Sequence, residues 1–160
     1  MLTKEEFRHI FDQHGQSIRN YVYYRSGNTA VADDITQETF IKIWEKNFLY
    51  EPQKIKALLY KIAGGLFLDY VRHQKTESKY AEELKFTMKQ GVEKTEDNEL
   101  LRKKCEAMLK VLTEKERTVF LMNRKDEFTY KEIATALNIS VKAVEKRMST
   151  ALKKLKTISK

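Results

Sequence analysis

The stretch TYKEIATALNISVKAVEKRMSTALKKLK, residues 129–156, decides how this chain is read. Thr129 and Glu132 stand at the spacing of a capping box, in which a threonine hydroxyl and a glutamate side chain satisfy the first free N–H groups of a helix. Ile133, Ala134 and Leu137 follow on one side, and small Ala134 permits close approach of a second helix. Asn138 is a residue type that tolerates the left-handed backbone that ends a helix, and Ser140 suits the start of the next one. A short capped helix, a tight turn and a second capped helix make the helix-turn-helix plan. At about 100° per residue, Val144, Met148, Ala151, Leu152 and Leu155 share one face of the second helix. Lys142, Lys146, Ser149 and Lys153 fall opposite, with Glu145 and Thr150 on the flanks.

An α-helix fits the major groove, where lysines bond guanine edges or phosphates and a glutamate accepts from cytosine. Lys146, Ser149 and Glu145, in the first half of the helix, are therefore the candidate base-reading residues, with Lys142 on the same cationic face and Thr150 at its flank. Lys153 and Lys154 lie further along, where phosphates are met. Arg147 lies near the edge of the core face, so a phosphate contact or an ion pair suits it better than a base. The blander alternative is a solvated amphipathic helix, and the capped helix and turn before it weigh against that.

Charge supports a polyanionic partner at this end. The 160 residues carry a net charge of +8. Residues 113–160 hold 12 basic and 6 acidic groups, a net of +6, against +2 for residues 1–75 and zero for 76–112. A local basic excess attracts nucleic acid. No apolar run reaches the length of a membrane span, and the start MLTKEEFRHIF lacks the layout of a signal peptide. A single cysteine, Cys105, excludes an internal disulfide, fits a reducing compartment and reads as a buried structural thiol. A cytoplasmic protein without membrane insertion is the expectation. His9, His14 and His73 form no ligand spacing, and neither a glycine-rich phosphate loop nor a nucleophile paired with a base appears. No metal, no cofactor and no catalytic residue are expected, and the chain is read as a non-enzyme.

One proline, five glycines and little strand-like alternation make the chain all-α. Thr3 with Glu6 opens a first helix; a second is expected over about 15–25, ended by Gly27-Asn28. A third runs from Thr29 to Lys46, a loop around Pro52 follows, and a fourth covers about 54–75. The polar run that follows reads as a flexible linker, 76–97. Helices over about 98–111, after Thr113, after Thr129 and after Ser140 complete the chain. The architecture is two small helical domains, 1–75 and 98–160, joined by that linker, the C-terminal one a helix-turn-helix.

The third helix is apolar on two sides. Val31, Ala32, Ile35 and Ile43 form one face; Phe40, Ile41 and Trp44 form another, with Asp33, Gln37 and Glu38 among them. Polar groups within an apolar face favour a partner surface over enclosure, because buried polar groups need hydrogen bonds. The fourth helix carries Ile55, Leu58, Leu59, Ile62 and Leu66 on one face, while Lys54, Lys61, Arg72 and Lys75 gather on another beside Tyr60, Phe67 and Tyr70. Cations interleaved with rings suit unstacked bases; a core or boundary place for Tyr60 and Tyr70 is the alternative. Gly64-Gly65 within a helix costs about 1 kcal/mol per glycine and marks a kink or a close approach.

These residues carry a resemblance. ADDITQETFIKIWE (32–45), LLYKIAGGLFLDYVR (58–72), a polar linker and LTEKERTVFLMNRKDEFTYKEIATALNISVKAVEKRMSTALKKL (112–155) resemble, in order and spacing, the bacterial RNA polymerase sigma factors of the extracytoplasmic-function group. The resemblance implies a promoter-specificity subunit whose partners are core RNA polymerase and promoter DNA. It leaves an anti-sigma factor open as a further partner. It implies that Asp33, Asp34, Gln37, Glu38, Phe40, Ile41 and Trp44 dock on the coiled coil of the largest polymerase subunit. It assigns Lys54, Tyr60, Lys61, Gly65, Asp69, Arg72 and Lys75 to melting and reading the minus-ten element. Lys142, Glu145, Lys146, Arg147, Ser149, Thr150, Lys153 and Lys154 would read the minus-thirty-five element, and the linker would lie in the RNA channels. The chain departs from the family pattern at Gly65, where asparagine is usual, so the usual hold on a flipped minus-ten base does not carry over to that position. A stand-alone helix-turn-helix regulator, and a helical adapter or peripheral membrane module, are the rival readings. DNA binding without polymerase would favour the first, and binding to anionic vesicles but not DNA the second.

Overall fold

The computed structural model describes residues 2–46, 51–77, 103, 106, 107 and 109–158, and only the backbone at 75–77 and 158. Six helices are bounded among them: α1 Lys4–Ser26, α2 Thr29–Glu45, α3 Pro52–Glu77, α4 Glu114–Arg124, α5 Tyr130–Leu137 and α6 Val141–Ile158. The residues described between 103 and 110 are also helical, and no described residue is in a strand. The linker assigned to 76–97 lies outside the described residues from 78 onward, as does Cys105.

Local chemistry places most helix ends. Thr3, Thr113 and Thr129 each accept a hydrogen bond from the backbone N–H three residues on, and Glu6, Glu116 and Glu132 each accept from the threonine N–H. These are three complete capping boxes. Gly27 ends α1 in the left-handed conformation at φ 66°, and the Asn28 side chain at once caps α2 by accepting from Ala30 and Val31. Two residues thus stop one helix and start the next.

Two expectations about helix bounds are corrected. The first two expected helices are one, because nothing breaks the ladder at Gly15. That glycine is buried with the Phe11 ring 3.8 Å from where a Cβ would stand. Its helix cost of about 1 kcal/mol is offset by the burial of Ile10, Ile18, Tyr21 and Val22 on the same helix. Pro52 does not break the chain before α3 but is its first residue, where a missing N–H costs nothing.

α1, α2 and α3 pack together, as do α4, α5 and α6. One continuous core runs through both: Ile10, Ile18, Ile35, Phe40, Ile43 and Leu59 from α1–α3, and Val119, Met122, Ile133, Val144 and Met148 from α4–α6. The two halves touch: α1 packs on α4, and α3 on α5.

Burial corrects three side-chain assignments. Phe40, expected on the partner face, is 3% exposed. Phe7 and Phe11 of α1 cover that edge of α2 and meet its ring edge-on at 6.3 and 5.1 Å. Tyr60, expected among the base-holding rings, is 2% exposed and packs edge-on against Tyr21 at 5.0 Å. Leu152, placed on the core face of α6, lies at the margin of that face and is more than a third exposed.

Removing a buried aromatic ring costs about 3–5 kcal/mol through lost transfer energy and the cavity left behind. Phe40→Ala should therefore lower the urea midpoint of the whole chain by a loss of that size. An unchanged midpoint would return Phe40 to the surface role that its sequence position suggests.

Candidate nucleic-acid and partner interfaces

On α2, Asp34, Gln37, Glu38, Ile41 and Trp44 point to solvent. Their spacing puts them along one stripe. Ile41 and Trp44 are about half exposed. Trp44 leans edge-on against Phe7 at 5.1 Å, and with Phe7, Phe11 and Ile41 it lines a groove of about 550 Å³ between α1 and α2. Lys4, Arg8, Asp12 and Glu45 rim that groove. Asp33 is set apart from the stripe, held by Arg19 at 2.6 Å. Phe7 and Phe11 escaped the sequence reading; their four-residue spacing on α1 was the signal that could have placed them on one face.

On α3, Lys61, Gly65, Asp69 and Arg72 are exposed. Lys61, Gly65 and Arg72 share a stripe with Leu68, which is nearly half exposed. Arg72 lies 3.5 Å from Asp69, and Lys54 3.0 Å from Glu51. Tyr60 supports this stripe from beneath, and burial pushes its phenol well above the usual range. The glycine pair divides in two. A Cβ on Gly64 would stand 3.0 Å from the Tyr21 hydroxyl, which makes this a close approach rather than a kink; at Gly65 a Cβ would meet nothing within 4 Å. An asparagine would fit at Gly65. Of Lys75 the backbone alone is described.

On α6, Lys142, Glu145, Lys146, Ser149 and Lys153 are exposed opposite the buried Val144, Met148, Ala151 and Leu155. The turn ahead of it is built as its residues dictate: Asn138 is left-handed at φ 56°, and the Ser140 hydroxyl accepts from Ala143 N–H at 3.0 Å. Thr150 is half-buried and donates to the Lys146 carbonyl at 3.0 Å; Arg147 is half-buried too. Lys154 was expected on phosphate, but its ammonium lies 2.7 Å from Glu116 of α4, so here it ties α6 to the capping box of α4. Among the described residues no group of His, Cys, Asp and Glu could hold a metal, and no helix is long and apolar enough to cross a membrane.

The chain thus presents three exposed helical stripes on two packed helical halves, the second a helix-turn-helix. Residues 10–77 match the family model for sigma-70 region 2, and residues 102–155 that for sigma-70 region 4. The chain belongs to the sigma factors of bacterial RNA polymerase. Its relatives place it in their extracytoplasmic-function group. It is similar to the ferric citrate uptake sigma factor FecI of Escherichia coli, 27% identical over 91% of this chain and 86% of that one. It is 22% identical to the sigma factor SigM of Bacillus subtilis over 93% and 92% of the two chains. The solved structure of the sigma factor RpoE from Bartonella quintana, in complex with the anti-sigma factor NepR, shares its fold with a TM-score of 0.70 over 96% of each chain at 19% identity. The protein is a promoter-specificity subunit: it binds core RNA polymerase and directs initiation at promoter DNA.

The Glu116–Lys154 tie has a titration signature. Burial raises the Glu116 carboxyl, but hydrogen bonds from Lys154 and Thr113 outweigh that and hold it below its ordinary 4.5. A carboxyl depressed in the folded state adds stability that is present above its unfolded value and is lost as pH falls through the folded one. Glu116→Gln keeps the cap geometry and removes the charge. It should lower the melting temperature at neutral pH and match the parent in acid, below the folded value of Glu116. A constant offset at every pH would show that the charge contributes nothing.

Proposed function

We propose that the three stripes divide the work of this sigma factor. The unit 1–75 docks on polymerase and reads the minus-ten element, the unit 98–160 reads the minus-thirty-five element, and 76–97 connects them. Asp34, Gln37, Glu38, Ile41 and Trp44 form the polymerase contact, with Asp33 ordered at its border by Arg19 and Phe40 shaping it from within. The observation that carries this reading is the exposure of Ile41 and Trp44 beside an open apolar groove, since large apolar side chains left in water on an otherwise packed domain mark a binding face.

Lys54, Lys61, Gly65, Asp69, Arg72 and Lys75 are the residues proposed to meet the minus-ten strand, with Tyr60 as their buried support. Capturing an extruded base offsets an unpairing cost of a few kcal/mol. At the upstream element, Lys142, Glu145, Lys146, Ser149 and Thr150 enter the groove, while Arg147, Lys153 and Lys154 meet the backbone, Lys154 after leaving Glu116. The protein acts by binding alone, without catalysis or cofactor, in the cytoplasm. RpoE was solved with an anti-sigma factor; for this chain a partner of that kind is part of the proposal, with the α1–α2 groove as its apolar seat.

Exposed aromatic and aliphatic anchors cost about 2 kcal/mol or more when truncated, roughly thirtyfold in affinity. Ile41→Ala with Trp44→Ala should lose at least that much affinity for core polymerase while keeping the parent melting temperature. Full retention of affinity in a pull-down titration would remove the docking assignment.

For the upstream element, transcription from a library of promoter variants at several salt concentrations separates the roles. Lys146→Ala should change base preference, with about 1–3 kcal/mol lost at particular positions, while Lys153→Ala weakens all sequences evenly and flattens the salt slope by about one. Equal loss on every sequence for Lys146→Ala would assign it to the backbone as well.

A further inference from the structure

Glycine at two successive positions inside α3 calls for two explanations, because each glycine weakens a helix relative to alanine. Gly64 is explained by packing. A Cβ there would stand 3.0 Å from the Tyr21 hydroxyl and 3.7 Å from a guanidinium nitrogen of Arg25, and Arg25 itself donates to that hydroxyl at 2.9 Å. Gly65 has no such reason. It lies in the middle of α3, exposed, and a Cβ would meet nothing within 4 Å. No left-handed backbone requires it either; among the described residues Gly27 is the glycine with positive φ.

A helix left bare at an exposed point lets a flat molecule lie directly on its backbone. The neighbours of Gly65 say which molecule. Leu68, one turn on, is 45% exposed. Lys61, one turn back, and Arg72, two turns on, place cations at either end of the same stripe, about 16 Å apart along the axis at ~1.5 Å per residue. Asp69 beside them lies 3.5 Å from Arg72. A bare, apolar patch between two cations is complementary to an unstacked nucleotide, with the base on the patch and the strand's phosphates toward the cations.

We infer that Gly65 and Leu68 form a seat for the flat face of one base of the melted minus-ten strand, and that this seat accepts any of the four bases. The inference rests on the minus-ten reading of α3 given above and adds Leu68 to it. The tolerance follows from what the seat lacks. The N–H and C=O of a mid-helix glycine are taken up by the helix's own hydrogen bonds, and leucine carries no polar side-chain atom. Neither can test the donors and acceptors on a base edge, whereas every base presents a π-face to an apolar surface.

The test uses holoenzyme assembled from the full chain and core RNA polymerase, bound to a fluorescent forked promoter taken from the library above. Each position of its single-stranded minus-ten segment carries in turn one of the four bases or an abasic sugar. At one position the abasic sugar should weaken binding about tenfold, while the four bases stay within about threefold of one another. Gly65→Ala should raise the melting temperature of the free chain by about 2–4 °C and remove most of that tenfold difference. Leu68→Ala should remove it without the rise in melting temperature. If both variants keep the parent difference while Lys61→Ala weakens binding to every template, the seat is overturned and the minus-ten reading of α3 stands. Binding equal to the parent for Lys61→Ala with Arg72→Ala would overturn that reading and the seat together. One base favoured by more than about tenfold at the seated position would overturn its tolerance.

Discussion

Helix α1 is the element that the rest of the structure depends on. Ile10, Ile18 and Val22 are wholly buried on it, and Tyr21 and Tyr24 nearly so. Such a helix cannot stand in water alone: each large apolar side chain withdrawn from solvent contributes about 1.5–3 kcal/mol, and the whole of that is lost if the covering helices leave. α2 and α3 cover one side. α4 covers another, and it does so mainly with polar groups at the C-terminal end of α1. One helix therefore belongs to the apolar core and to a polar seam at once.

Within each half buried apolar side chains, with ion pairs such as Arg19–Asp33 and Lys154–Glu116, hold α2, α3 and α6 in place beneath their exposed stripes. Between the halves hydrogen bonds and ion pairs run beside apolar side chains that belong to the same continuous core.

The exposed stripes also differ in what backs them. Behind Ile41 and Trp44 stand Phe7, Phe11 and Phe40 in edge-to-face contact. Behind Lys61 and Gly65 stand Tyr60 and Tyr21. Several of the rings that the sequence pattern suggested would touch partners instead shape the surface from beneath. Truncating them would disturb the fold, whereas Ile41, Trp44 and Lys61 stand at the surface itself.

The sequence by itself determined whatever depends on neighbours three or four residues apart. The three capping boxes, the left-handed Asn138, the helix-turn-helix and the cationic face of α6 were legible because a helix brings such residues together whatever the tertiary fold. The all-α class was legible in the scarcity of proline, glycine and strand-like alternation, and the family in the order and spacing of the stretches 32–45, 58–72 and 112–155. The tertiary structure alone decided what depends on packing between distant segments. α1 runs through Gly15 because other helices bury the residues on either side. Phe40 and Tyr60 are inside because α1 lies over them, and Lys154 is tied because α4 brings Glu116 to it. The seam of Arg117, Asp126, Tyr24 and Arg25 joins residues about ninety or more positions apart. No local period records that distance, since a hydrogen bond between such partners exists only once both helices are folded and docked.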